Sequence, residues 1–278
     1  MIVRTPRNYL DLLIAMQGSV LPQVLPKIIG FALLSVLLEA LFLAGAHLPQ
    51  LPLGPMAGIG IALSLFLGFR NNAAYDRWWE GRKLWGQIVG DIRSFCRESD
   101  VLLTDGAVRI RTLETLHDFI GALAAPKSPG AEVALDRVAA VLAAETRTGR
   151  LSEIGAMTLL NRLAGLTSAQ VGIERLKATP LPFVYSLLIH RTVFVYCTLL
   201  PFAVFAGAGW FSPILTGVTA YVFLGLAAVT DCLEDPFAES DHAVPVNALE
   251  AICKRKLETA MGRSDLTPLV ETKDYVLK

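Results

Sequence analysis

Leu51-Pro52-Leu53-Gly54-Pro55-Met56-Ala57-Gly58-Ile59-Gly60-Ile61-Ala62-Leu63-Ser64-Leu65-Phe66-Leu67-Gly68-Phe69 carries no charged residue. The hydrocarbon core of a bilayer is about 30 Å thick and an α-helix rises about 1.5 Å per residue, so about 20 apolar residues cross it. This stretch is long enough. Residues 28–46 meet the same test with one acid, Glu39, and residues 192–211 and 213–230 meet it with none. The connections at 47–50 and around Ser212 are short, so the four runs pair as two hairpins. Of the 278 residues 53% are hydrophobic and 18% charged, and the net charge is zero. Soluble domains carry about 25% charged residues. The deficit sits in the four runs, and a neutral chain offers no basic field for nucleic acid.

Lys and Arg flank the runs unevenly, which sets orientation. Arg4, Arg7 and Lys27 precede the first run, and Arg70, Arg77, Arg82, Lys83, Arg93 and Arg97 follow the second. Arg191 precedes the third, and Lys254, Arg255 and Lys256 follow the fourth, while the two hairpin loops hold neither residue type. Both termini and the segment 70–191 are therefore expected on the cytoplasmic side of the membrane. Ala44-Gly45-Ala46 imitates a signal-peptide cleavage site, but the apolar run is too long and starts too late, so it reads as a retained span.

The expected organisation is all-α. Residues 1–27 form a cytoplasmic N-terminal helix, with Thr5-Pro6 as its start, since Pro is favoured at the first helical position. Residues 28–69 form the first hairpin, its second helix continuing to about residue 97. Residues 98–191 form a helical region in which Leu151, Ile154, Leu159 and Leu163 recur at helical spacing and residues 126–130, Pro-Lys-Ser-Pro-Gly, break it. Residues 192–230 form the second hairpin and residues 231–278 a cytoplasmic C-terminal segment.

Two stripes run along the second span. Ile61, Leu65 and Phe69 recur every fourth residue and keep bulky groups on one face. Gly60, Ser64 and Gly68 do the same about 100° away, and small residues let membrane helices approach closely. The bulky stripe suits a narrow neck between subunits, and equally core packing or a lipid-facing surface; spacing does not choose. Asp76 and Glu80 continue the same phase. Repeated around an axis they would form acidic rings that draw cations; paired with neighbouring bases they would be a solvated face.

Little else carries chemistry. Cys96, Cys197, Cys232 and Cys253 lack metal spacing and read as free thiols, and His47, His117, His190 and His242 fall in separate segments. With no nucleophile elbow, phosphate loop or dinucleotide motif, the chain does not read as an enzyme and no cofactor is expected. Glu39 is an acid inside a span, costly there and hence a functional candidate.

The run 66–86, Phe-Leu-Gly-Phe-Arg-Asn-Asn-Ala-Ala-Tyr-Asp-Arg-Trp-Trp-Glu-Gly-Arg-Lys-Leu-Trp-Gly, resembles the signature of the bacterial bestrophin homologues. Gly18-Ser19-Val20, Thr179-Pro180-Leu181-Pro182-Phe183 with His190-Arg191-Thr192, and Leu233-Glu234-Asp235-Pro236-Phe237 agree, in the family's order and across nearly the whole chain. The resemblance implies a homopentameric channel in membrane lipid, with one pore on the fivefold axis lined by the second helix. It places the apolar neck on Ile61, Leu65 and Phe69, with Leu65 replacing the aromatic of animal members. A second, cytosolic constriction falls near Leu176 and Thr179. Animal members are calcium-activated and carry an acidic clasp after the Pro-Phe of the fourth span. Here Ser240 and Ala243 stand where carboxylates are needed. Calcium takes six to eight oxygen ligands, so calcium independence is expected. Bacterial members resembling this one are associated with monovalent cations such as sodium, so the expected function is passive flow of small monovalent cations. An anion channel of the same fold is the alternative. A secondary transporter would show inverted repeats and broken helices; no repeat is visible, although Pro201 could break the third span.

Overall fold

The structure is a computed structural model that describes residues 1–4, 15–125 and 130–277. Most of the expected N-terminal helix and of the 126–130 loop lies outside the described residues. Among the described residues the regular structure is helical, apart from isolated bridges pairing Ile2 with Val276 and Lys273 with Val276. The helices are α1 (Leu21–Leu43), α2 (Leu53–Leu102), α3 (Gly106–Ala124), α4 (Gly130–Arg147), α5 (Glu153–Ala178), α6 (Phe183–Ala208), α7 (Ser212–Glu234) and α8 (Val246–Ala260), with a 3-10 turn at Gly209–Phe211 between α6 and α7. They belong to two compact units, and α2 contributes to both.

One unit comprises the described residues of Thr5–Trp78 together with Pro180–Asp235. Residues 15–20 are a turn rather than a helix, closed by Ser19 N–H donating to the Met16 carbonyl at 3.1 Å. The Leu21 amide then bonds to Ser19 Oγ, and Pro22 sits in the first turn of α1, where no N–H is needed. Here α1 packs on α6 and α7, and α6 on α7. Aromatic edges meet between them: Tyr196 and Phe223 have ring centroids 5.2 Å apart at 89°, and Phe42 and Phe205 are 5.1 Å apart at 71°. Gly209, with φ +52°, makes the reversal that a side chain would resist. α6 and α7 each extend beyond the apolar runs, because His190, Arg191 and Asp231 do not interrupt backbone hydrogen bonding. Pro201 is buried inside an uninterrupted α6, so the third run is not broken there.

The other unit comprises Met1–Arg4, Trp79–Thr179 and Pro236–Lys278. Trp85, Ile88, Phe95, Leu116 and Phe119 are fully buried in it, and each such side chain contributes roughly 1.5–3 kcal/mol. Here α3 packs on α4 and α8, and α4 on α5. α3 starts at Asp105, whose carboxylate accepts from the amides of Ala107 (2.9 Å) and Val108 (3.2 Å). α5 starts at Ser152, which caps the Gly155 amide at 3.1 Å. Leu159 and Leu163 face the core as their spacing suggests, whereas Ile154, in the first turn of α5, is exposed.

Candidate functional site

In the first half of α2 the buried positions are Met56, Gly60, Leu63, Leu67, Arg70 and Ala74. Their spacing of four and three residues holds one face of the helix in the unit's core. Leu65 lies two residues from both Leu63 and Leu67, about 200° round the helix. Ile61, Leu65 and Phe69 therefore lie on the opposite face, and they are 73%, 57% and 61% exposed. A single chain leaves these three large apolar side chains uncovered in one row. The small stripe is split between environments. A Cβ on Gly60 would come 2.6 Å from Tyr196 Oη, so the Tyr196 ring of α6 lies directly against Gly60, while Gly68 faces open space.

Asp76 is exposed and makes no ion pair among the described residues. Glu80 is held by the Arg175 guanidinium instead of one of the neighbouring bases. At the end of α5, Thr179 is exposed and its hydroxyl donates back to the Arg175 carbonyl, while Leu176, 5% exposed, is enclosed by its own unit. Of those two residues, Thr179 is the one with a side chain at the surface. Close by, Lys177 Nζ lies 5.6 Å from the Phe237 ring centroid. A Cβ on Gly81 would meet Pro236 Cβ at 3.0 Å and Phe237 Cζ at 3.1 Å. Gly81 is thus the seat for the Pro236-Phe237 pair.

Sequence reasoning missed the residue directly after Phe69. The Arg70 side chain is 4% exposed, and its Nη2 donates to Ser186 Oγ (2.8 Å), Asp231 Oδ1 (2.9 Å) and Glu234 Oε2 (2.8 Å). His190 Nε2 lies 3.1 Å from Asp231 Oδ2, and Arg77 Nε donates to the Glu234 carbonyl at 3.1 Å. One guanidinium thereby joins α2 to the start of α6 and the end of α7. The available signal was the 3–4 spacing of Leu63, Leu67 and Arg70, which puts the arginine on the buried face. Within the first span, Ser35 Oγ shares a buried 2.7 Å hydrogen bond with Ser212 Oγ at the start of α7, and Glu39 is 2% exposed with no partner at Oε2 among the described residues. Ser240 and Ala243 lie in the irregular segment before α8.

Comparison with known proteins follows the same lines. The sequence is 38% identical to a voltage-dependent anion channel-forming protein of Mesorhizobium japonicum, over 99% of this chain and 97% of that one. It is 34% identical to another so named from Escherichia coli K12, over 91% and 90%. The structure resembles a crystal structure of a bacterial bestrophin homologue from Klebsiella pneumoniae with a TM-score of 0.80 and 28% identity, covering 87% of this chain and all of that one. The profile described as Bacterial/Fungal Bestrophin protein matches residues 1–129 and 126–259. With the motifs in order from end to end and the fold shared, the chain belongs to the bacterial and fungal bestrophin family.

Proposed function

We propose that the protein is a multi-pass membrane channel for small monovalent anions, built from several copies of the chain around an axis lined by α2. The observation that carries the ion class is the similarity to relatives named as anion channel-forming proteins. It replaces the expectation of sodium drawn from the resemblance. Bestrophins are ion channels and not enzymes. Among the described residues three segments are long and apolar enough to cross a membrane: Leu21–Leu43, Leu53–Leu102 and Phe183–Glu234. The last contains the α6–α7 reversal, and the 3.1 Å approach of His190 to Asp231 brings its two ends together. This supports a reading of four passes, and the flanking charges support placing both termini in the cytoplasm. Five copies are the number the family resemblance implies.

In this reading Ile61, Leu65 and Phe69 form an apolar neck where the barrier is loss of ion hydration, and Thr179 lines a second, cytosolic constriction backed by Leu176. Calcium is not required, because Ser240 and Ala243 replace the clasp carboxylates. Purified protein in liposomes under asymmetric NaCl tests the ion class: the reversal potential is expected near that of chloride. A value near that of sodium would sink the anion assignment and leave the channel standing. A cation reading has one observation behind it, the exposed, unpaired Asp76 on the neck's phase, and the same measurement decides. Leu65→Ala is expected to raise flux. A protein that passes no ion, with none after Ile61→Ala, Leu65→Ala or Phe69→Ala either, is not a channel of this kind. Unchanged currents in a calcium chelator are expected as well.

A further inference from the structure

In the second half of α2 the buried positions include Gly81, Ile88 and Phe95, seven residues apart. Lys83, Gly90 and Arg97 each follow one of them by two residues, about 200° round the helix. They form a row on the side away from the core, and all three are exposed. Arg93, also exposed, lies one turn before Arg97 at the edge of that side. Counted back along the helix, the same seven-residue row passes through Asp76 to Phe69 of the neck.

The charge on this half of α2 is sorted by sign. Its acids are met by arginines from other helices: Glu80 by Arg175, Asp91 (3.9 Å) and Glu98 (2.8 Å) by Arg162, and Asp100 by Arg109 at 3.0 Å. Its bases Arg82, Lys83, Arg93 and Arg97 form no ion pair with a carboxylate among the described residues, and all but Arg82 are exposed. The neighbouring helices thus offset the negative charge of this half of α2 and leave positive charge at its surface.

Resting on the anion-channel reading, we infer that Lys83, Arg93 and Arg97 concentrate small anions on the cytosolic side of the conduction path and set its selectivity. Repeated around an axis, the row is a stack of positive rings with glycine at position 90 keeping the path open. Fixed charges of one sign lining a confined path raise the local counter-ion concentration and exclude co-ions. The range of such a field in salt is about 8 Å at physiological ionic strength. Its effect on selectivity therefore fades as salt rises.

The test uses the full chain in liposomes. Lys83→Glu with Arg97→Glu is compared with wild type, with the neutral Lys83→Gln and Arg97→Gln pair, and with Arg137→Glu on an exposed face of α4 as control. The chloride-to-sodium permeability ratio is expected to fall about tenfold in the reversal pair at low salt, less in the neutral pair, and not in the control. The melting temperature and oligomer size are expected to stay unchanged. If wild type conducts chloride and both pairs keep its ratio at every salt concentration, the inference is overturned while the channel function stands. If wild type itself excludes chloride, the anion reading has failed and the inference falls with it.

Discussion

At Arg70 a single nitrogen serves two carboxylates and a serine, and this node is the most exposed to test of the single residues. Removing one member of a buried charge cluster costs about 3–5 kcal/mol when the rest stay dry. The Asp231 and Glu234 side chains are 44% and 20% exposed, so water takes up part of the loss and Arg70→Ala should cost nearer 2 kcal/mol. A melting curve in detergent reads this; an unchanged midpoint would mean the node is ornamental. Gly60→Ala is expected to destabilise by about 1–3 kcal/mol through the clash with Tyr196. Tyr196→Phe, which removes the nearest atom, should recover part of that. Glu258 ties α8 to the C-terminal segment. Burial acts to raise its pKa, but hydrogen bonds from the Thr267 hydroxyl and amide, both 2.6 Å, and from His117 at 3.2 Å outweigh it, and the shift from 4.5 is downward. A depressed carboxylate stabilises the fold above its unfolded value and loses that contribution as pH falls through the folded one. Stability should thus drop below about pH 4.5, and Glu258→Gln should flatten that part of the pH–melting curve. That Ile61, Leu65 and Phe69 share one face was legible because their spacing lies within one helix. Arg70 was not, because its partners lie 116 to 164 residues away and no local pattern announces an ion pair between distant segments.

At the scale of elements, continuity was the readable property. The sequence offers no proline between Met56 and Ala125, and α2 runs to Leu102 without a break. What could not be read was which face of each helix finds a partner. Ile154 lies five residues before Leu159, about 140° round the helix, so it is exposed while its neighbours Gly155 and Ala156 are buried. Pro201 reads as a breaker by local rules, and tertiary packing overrides them. α8 offers a reporter for its own packing, since burial pushes the Cys253 thiol up to about 12. It should resist maleimide in the folded protein and react on unfolding, because only the thiolate attacks. Rapid labelling under native conditions would show that α8 opens.

For the molecule as a whole, Ile61, Leu65 and Phe69 lie exposed in one row on α2, and the proposed assembly covers them at a shared axis. In mild detergent the mass should come to five times 30.1 kDa; light scattering that finds one chain would remove the shared axis and the neck with it. The fifty residues of α2 span about 75 Å at 1.5 Å per residue. A helix of that length rests on an unbroken run of backbone hydrogen bonds from each amide to the carbonyl four residues before it. Gly90 has open space around it, so Gly90→Pro would test that run alone: it removes one bond and is expected to destabilise the fold by about 3 kcal/mol, read as a lower melting temperature.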